Sequence, residues 1–127
     1  NEGSVQSLVN IIGSKRANAA VKVFWVCGLL MDKDADAVAF KIKQALHPED
    51  ELIAVGIDGD RARSGVELAS AWQGQFAHPI KSAVNVKMAL SDIRAVAQPR
   101  DWVVVFGSFH VVGPALLWFE DMEKLGG

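Results

Sequence analysis

The apolar run Trp102–Phe106 constrains the fold of this chain more than any other segment. Its residues are all apolar, and Gly107 and Ser108 end the run before a helical apolar pattern begins. An unbroken apolar run of this length is typical of a strand that is buried on both faces, as in the parallel sheets of α/β proteins. Ligands of such sheets bind beyond the carboxyl ends of the strands. The run therefore predicts an architecture and also the edge at which to look for chemistry.

The rest of the chain alternates between strand and helix patterns. Three further segments predict strands: Lys22–Cys27, Leu52–Ile57 and His78–Lys81. Apolar residues at helical spacing lie before, between and after the strands, in Val5–Ile12, Val38–Leu46, Leu68–Trp72, Val86–Ala97 and a last helix that reaches about Leu125. Such alternation with short connections implies right-handed crossovers and a mainly parallel sheet. We therefore expect residues 1–127 to form one three-layer αβα, Rossmann-like domain.

Local signals predict where several helices begin and end. Gly13 and Gly74 are placed to terminate the first and third helices. Ser64 with Glu67 three residues later is a capping-box signature, and Asp32 or Asp34 could cap the second helix. A short Lys81-Ser82 turn would place Ser82 as the cap of the fourth helix.

Composition restricts the classes of partner. The 127 residues are half hydrophobic and 22% charged, as in ordinary globular domains. With 13 basic and 15 acidic residues and no Lys/Arg cluster, we expect neither a nucleic acid nor a membrane surface as partner. Cys27 is the single cysteine, which excludes an internal disulfide and fits a reducing compartment, so we expect a cytoplasmic protein. Because the chain opens on a helix pattern without a preceding strand or methionine, we interpret it as a piece cut from a longer protein.

The strand-to-helix loops carry the candidate binding groups. Asp32-Lys33-Asp34 follows the first strand and could hold a metal ion, cap the next helix, or present Lys33 to a carboxylate or phosphate. A lysine at a helix start is electrostatically unfavourable unless an anion is near. In the second loop, Arg61 and Arg63 have a simpler interpretation as part of a solvated turn that pairs with nearby aspartates.

The last loop contains Ser108 and His110, two residues apart. A Ser-His nucleophilic pair would suggest a hydrolase, but the context is not G-x-S-x-G and no acidic residue stands in an obvious third role. The same hydroxyl and imidazole can donate hydrogen bonds to a bound anion. Neither G-x-G-x-x-G nor G-x-x-x-x-G-K-[ST] occurs, so the chain carries no standard phosphate-binding loop.

Taken together, the loop motifs resemble one family over nearly the whole chain. They are Gly28-x-x-x-Asp32-Lys33-Asp34, Arg61, and Phe106-Gly107-Ser108-Phe109-His110. The chain resembles the C-terminal domain of folylpolyglutamate synthase/dihydrofolate synthase, in the Mur ligase superfamily. The resemblance implies a ligase that uses ATP and Mg²⁺ to phosphorylate a carboxylate of dihydropteroate or a folate. The amino group of L-glutamate then attacks the acyl phosphate, and an amide forms.

The resemblance also implies a division of labour and residue roles. An N-terminal ATPase domain of the same protein would carry the phosphate loop and the metal ligands, so the isolated chain is expected to be inactive and to hold no metal site. Lys33, Ser108 and His110 would bind glutamate. Asn1 would lie on the nucleotide side, as the last residue of the family's Asp-Gly-Ala-His-Asn segment. Secondary candidates are Asp32, Asp34, Arg61 and Phe109.

Two alternatives stay open at this point. One is the C-terminal domain of a Mur-type cell-wall amino-acid ligase, which shares the fold and the acyl-phosphate chemistry. The other is a non-catalytic α/β binding or receiver-like module. A receiver would need clustered acidic residues, whereas only Asp58 stands near the end of a central strand, and the last strand ends in Gly-Ser where a receiver would have lysine.

Overall fold

The sheet contains four strands over the residues that the computed structural model describes, which are 2–17, 21–59 and 62–126. The strands are β1 (Val23–Gly28), β2 (Glu51–Val55), β3 (Ile80–Ala83) and β4 (Trp102–Gly107). All neighbouring pairs are parallel, and the order across the sheet is β3-β2-β1-β4. The buried central strand β1 therefore pairs with the strand formed by the Trp102–Phe106 run.

Helices cover both faces of this sheet. They are α1 (Glu2–Arg16), α2 (Ala35–Ile42, continued by a 3₁₀ turn at Lys43–Ala45), α3 (Gly65–Trp72), α4 (Val86–Val96) and α5 (Phe109–Lys124). One core cluster joins the sheet to α1, α2 and α3, and a second joins the opposite face to α4 and α5. The predicted three-layer α/β architecture is confirmed. In the described part of the chain, no helix combines the length and apolarity that crossing a bilayer requires.

Each face has its own large buried side chains, because successive residues of a strand point to opposite faces. On the first face, Trp25 meets the Phe106 ring edge-on with 6.2 Å between the ring centroids. Trp72 of α3 is fully buried, and its indole N–H donates to the Ala35 carbonyl at 2.8 Å, which joins α3 to α2. On the second face, Phe24 is buried against α4 and α5. Burying a side chain of this size contributes about 1.5–3 kcal/mol.

The strand order places a topological switch point between β1 and β4. The connections from β1 to β2 and from β2 to β3 move in one direction, and their helices α2 and α3 lie on one face. The next connection returns across the sheet to β4, and its helix α4 lies on the other face. This change of face follows from the right-handedness of parallel crossovers. Ligands of open α/β sheets bind in the crevice at such a switch point.

The amino edge of the sheet is closed by a buried ion pair. Arg16 of α1 binds the Asp50 carboxylate through both terminal nitrogens, at 2.8 and 2.7 Å. The same carboxylate accepts the Trp25 indole N–H and the amides of Val23 and His47. Burial alone would raise the pKa of Asp50, but these hydrogen bonds outweigh it and hold that pKa below its ordinary value. The carboxylate therefore stays ionised and joins α1, β1 and β2.

Two predicted boundaries are wrong. Gly13 does not end the first helix, because α1 continues to Arg16, whose side chain is held by Asp50. Ser82 does not cap α4, because it lies within β3, paired with Ala54 of β2. The cap of α4 is Asn85, which accepts the Met88 amide at 2.9 Å. In both cases a long-range contact extends an element beyond its local stop signal.

Candidate functional site

The carboxyl ends of β1 and β4 lie side by side at the switch point. Gly28 pairs with Gly107 at the last position of this ladder, and the Ser108 amide donates to the Gly28 carbonyl at 3.0 Å. The Lys33 loop leaves β1 here and Ser108 follows β4 directly. The structure thus places the two loops at the same edge of the sheet, on the two strands that flank the switch point.

Glycine is required at both strand ends for this close approach. Gly107 has φ +113°, a backbone conformation that side chains disfavour, and a Cβ there would collide with the Gly28 carbonyl. A Cβ at Gly28 would collide with the side chain of Val111 in the first turn of α5. The two glycines therefore let the start of α5 pack directly against the end of β1.

Ser108 begins α5 as its N-cap. Its hydroxyl oxygen accepts the His110 backbone amide at 3.1 Å, which leaves the hydroxyl hydrogen available to a ligand. The Phe109 amide lies in the first turn, where an N–H has no acceptor within the helix. Together with the positive end of the helix dipole, these donors suit a carboxylate or a phosphate.

His110 and Phe109 extend from the first turn of α5 toward solvent. The Phe109 side chain is 91% exposed, and His110 is also exposed. The bond between Ser108 and His110 runs from the backbone amide to the hydroxyl and does not involve the imidazole ring. The arrangement therefore shows ligand donors and an exposed aromatic ring at this edge, and not a Ser-His proton-transfer pair.

The Lys33 loop is fixed at its far end by a helix cap. Asp34 accepts the Ala37 amide at 3.0 Å as N-cap of α2, so the capping interpretation is confirmed for this residue. The Lys33 amide closes a turn onto the Leu30 carbonyl at 3.1 Å. The Lys33 and Asp32 side chains are exposed. Lys33 is thus presented to solvent from a loop whose backbone is ordered by local hydrogen bonds.

The sequence did not reveal that Arg63, at this edge of the sheet, is buried and bonded to the Lys33 loop. Arg63 is 8% exposed, so the solvated-turn interpretation is wrong for it. Its Nη2 donates to the carbonyls of Met31 and Lys33, at 3.0 and 2.9 Å. A signal was present, because Arg63 directly precedes the Ser64 capping box, in the loop that follows the strand next to β1. Two other candidates, Arg61 and Asn1, lie outside the described residues.

Lys33 and Arg63 line an open cleft of about 570 Å³ between the start of α2 and α3. Asp36 and Glu67 supply negative charge to the same cleft, and Met31 and Val66 supply exposed apolar surface. Backbone and hydroxyl hydrogen bonds at Ser64 lower the pKa of Glu67, and the charge of Arg63 adds to this effect. Neither Ser108 nor His110 lines this cleft. Lys33 therefore opens toward the β2 side of the switch point, whereas Ser108 lies on the β4 side.

Cys27, at the end of β1, is a packing residue. Its side chain is buried, and burial raises the pKa of its thiol, an effect that the charge of Arg63 only partly offsets. The thiol is therefore neutral. Within the described ranges, no group of three or more His, Cys, Asp or Glu side chains is placed to hold a metal ion.

No protein-family model matches the chain. A curated relative, dihydrofolate synthase/folylpolyglutamate synthase from Haemophilus influenzae, is 35% identical over 92 residues. The match covers 72% of this chain and 20% of the relative, so the chain spans about a fifth of that synthase. The predicted resemblance to the C-terminal domain of folylpolyglutamate synthase/dihydrofolate synthase is confirmed.

Solved structures of such synthases share the fold. The bifunctional synthase of Yersinia pestis, complexed with AMPPNP and Mn, matches with a TM-score of 0.77 at 24% identity, over 94% of this chain and 27% of its own. E. coli FolC in complex with DHPP and ADP matches with a TM-score of 0.78 at 23% identity, over 97% of this chain and 27% of its own. At these identities the structures support the α/β architecture, over about a quarter of each synthase.

Proposed function

We propose that this chain is the C-terminal domain of an ATP-dependent ligase that joins L-glutamate to dihydropteroate or a folate. The observation that carries the proposal is the 35% identity to the Haemophilus influenzae synthase over 92 residues. The two loops at the switch point support it, since they place a lysine and an N-capping serine where an α/β domain binds ligands. AMPPNP, Mn, ADP and DHPP in the related structures support ATP, a divalent metal ion and a pterin-containing substrate.

In the proposed reaction, this domain binds the amino acid substrate, glutamate. ATP transfers its γ-phosphoryl group to the carboxylate of dihydropteroate or a folate, leaving ADP and an acyl phosphate. The deprotonated amine of glutamate attacks the acyl carbon, and phosphate leaves as the amide forms. Activation would take place on an N-terminal ATPase domain of the same protein. This domain would hold the glutamate so that its amine meets the acyl phosphate, which is catalysis by positioning.

Lys33, Ser108 and His110 are the proposed glutamate ligands, on opposite sides of β1. Ser108 and the Phe109 amide offer neutral donors at the helix start, and Lys33 offers a mobile positive charge. Lys33 lines a cleft that Ser108 does not. We therefore propose that Lys33 and Ser108 bind different carboxylates of glutamate and not the same one. Glutamate carries two carboxylates, so one molecule could bridge the crevice.

The test is amide formation by the complete ligase, with dihydropteroate or a folate as acceptor. Lys33→Met and Ser108→Ala are each expected to raise the KM for glutamate by about tenfold, the usual effect of losing one charge-assisted hydrogen bond. The KM for ATP should stay within about twofold of the wild-type value. Lys87→Met, an exposed lysine on α4, is the matched control. The 127-residue chain alone should form no amide.

Other outcomes would decide between the alternatives. Amide formation on a cell-wall precursor, with none on a folate, would assign the chain to a Mur-type ligase. ATP-dependent amide formation by the isolated chain would contradict the proposed division between domains. An unchanged glutamate KM in both variants would contradict the assignment of the ligands.

A further inference from the structure

We propose that Arg63 is a positioning residue, which sets the conformation of the β1–α2 loop (residues 29–34) and thereby the placement of Lys33. The inference deepens the proposed function and rests on it, because Lys33 matters only if it binds substrate. Arg63 is not itself proposed to touch the amino acid. It acts on the backbone of the loop that carries Lys33.

The hydrogen bonds of Arg63 go to two points of that loop. Its Nη2 donates to the carbonyls of Met31 and Lys33, residues that lie 32 and 30 positions earlier in the chain. A terminal guanidinium nitrogen carries two hydrogens, so these bonds use both. The carbonyls lie on either side of Asp32. Arg63 therefore holds the tip of the loop, while Asp34 holds its end through the α2 cap.

Arg63 is itself held rigidly. The Ile57 amide donates to its backbone carbonyl at 3.4 Å, and the next residue, Ser64, is locked in the capping box of α3. The residue as a whole is 8% exposed. The donor group therefore approaches the loop from a fixed position, as a residue that positions another group must do.

Burying Arg63 has an energetic cost, which Arg16 at the amino edge shares. The Arg63 Nε is buried without a hydrogen-bond partner in the described part of the chain, and an unpaired buried donor is unfavourable. Its hydrogen bonds there go to neutral carbonyls, so its charge is not cancelled by a bonded carboxylate. Arg63 also lines the cleft beside Lys33. The cleft is therefore lined by two cationic side chains and by the carboxylates of Asp34, Asp36 and Glu67.

The test is a double-mutant cycle in the complete ligase. Arg63→Met is expected to raise the KM for glutamate by about tenfold with kcat nearly unchanged, because lost positioning weakens binding through Lys33. In the Lys33→Met background the same change should add less than about twofold, since coupled residues are not additive. Arg63→Lys should recover part of the loss, because an ammonium can still donate to the carbonyls. Arg100→Met, an exposed arginine in the turn before β4, is the matched control.

A merely structural role predicts a different pattern. A structural effect on binding that does not act through Lys33 would raise the KM by the same factor in both backgrounds, and that result would overturn the proposal. Hydrogen exchange of the complete ligase without substrates gives a second readout. In Arg63→Met the amides of residues 31–37 should exchange faster, while those at the start of α5 stay unchanged. Unchanged exchange over residues 31–37 would also overturn it.

The experiments can contradict either proposal without contradicting the other. If Lys33→Met leaves the glutamate KM unchanged, the proposed role of Lys33 in binding is wrong, whatever Arg63 does. The exchange measurement would still show whether Arg63 orders the loop. If Lys33→Met weakens glutamate binding but Arg63→Met changes neither KM nor exchange, Lys33 keeps its role and the inference about Arg63 is wrong.

Discussion

Two buried arginines lie at opposite edges of the sheet and are bound in different ways. At the amino edge, Arg16 forms a two-bond ion pair with Asp50. At the carboxyl edge, Arg63 donates to the backbone carbonyls of Met31 and Lys33. The first arginine is hydrogen-bonded to a carboxylate, whereas the second is hydrogen-bonded to neutral carbonyls and faces a cleft that the carboxylates of Asp36 and Glu67 also line. The same residue type therefore forms an ion pair at one edge and holds the backbone of a loop at the other.

The residues around the two arginines also differ between the two edges. The Asp50 carboxylate also accepts hydrogen bonds from Trp25 and two backbone amides, so its charge is bound within the protein, although Arg16 Nε has no hydrogen-bond partner among the described residues. The carboxyl edge leaves Lys33, Phe109 and His110 exposed. Regions that bind ligands are commonly the less stable parts of a fold. We expect stability to depend mainly on the amino edge and binding mainly on the carboxyl edge.

The largest expected effect tests this comparison directly. Asp50→Asn should lower the free energy of unfolding by about 3–5 kcal/mol, because it leaves the Arg16 charge buried without a counter-charge. Arg63→Met should lower it by only about 1–2 kcal/mol, since its carbonyl partners lie on a surface loop that water can reach. Urea denaturation of both variants measures the difference, with the exposed Glu49→Gln as control. Equal losses would contradict the division between the edges.

The pH dependence of stability should also come mainly from the amino edge. The pKa of Asp50 is lower in the folded protein than its ordinary value of 3.8. The folded state therefore binds this proton less readily than the unfolded state. The contribution is fully present above the unfolded pKa and is lost as the pH falls through the folded one.

Denaturation between pH 7 and pH 3 measures this loss. The fall in the free energy of unfolding should be smaller in Asp50→Asn than in the wild-type protein. Glu51 contributes in the same direction. Burial would raise its pKa, but hydrogen bonds from Lys22 and Lys81 lower it below its ordinary value. A fall of the same size in both proteins would show that Asp50 is not the group responsible.

The smallest expected effect concerns the second anchor of the β1–α2 loop. Asp34→Ala removes the cap of α2 and should lower the free energy of unfolding by about 1 kcal/mol, the usual cost of losing an N-cap. Ser64→Ala, which removes the cap of α3 next to Arg63, gives the matched comparison. Thermal unfolding of the two variants should show similar small shifts. A loss near that of Asp50→Asn would mean that the carboxyl edge carries more stability than we infer.

Much of the fold could be predicted because the signals are local. The apolar run Trp102–Phe106 became β4, and the alternation of strands and helices indicated the three-layer architecture. The expectation that this strand is buried on both faces was wrong, because β4 is the outer strand of the described sheet and residues 102–105 are half-buried. The caps at Asp34 and Ser64 were also predicted, because a cap involves residues three positions apart. The predictions at Gly13 and Ser82 were wrong because packing against distant residues extended α1 and β3. The proposed roles of Lys33, Ser108 and His110 remain predictions.

The sequence by itself determined the class of fold, the order of its elements and the loops that reach the carboxyl edge of the sheet. Hydrophobic periodicity and helix caps involve residues that are close in the sequence, so both can be predicted from the sequence alone. Only the tertiary structure decided that Arg16 meets Asp50 and that Arg63 holds the Lys33 loop. These contacts join residues 30 or more positions apart, and both arginines look like ordinary surface residues in the sequence. Their burial follows from the way α1, β1 and β2 come together, which no short segment encodes.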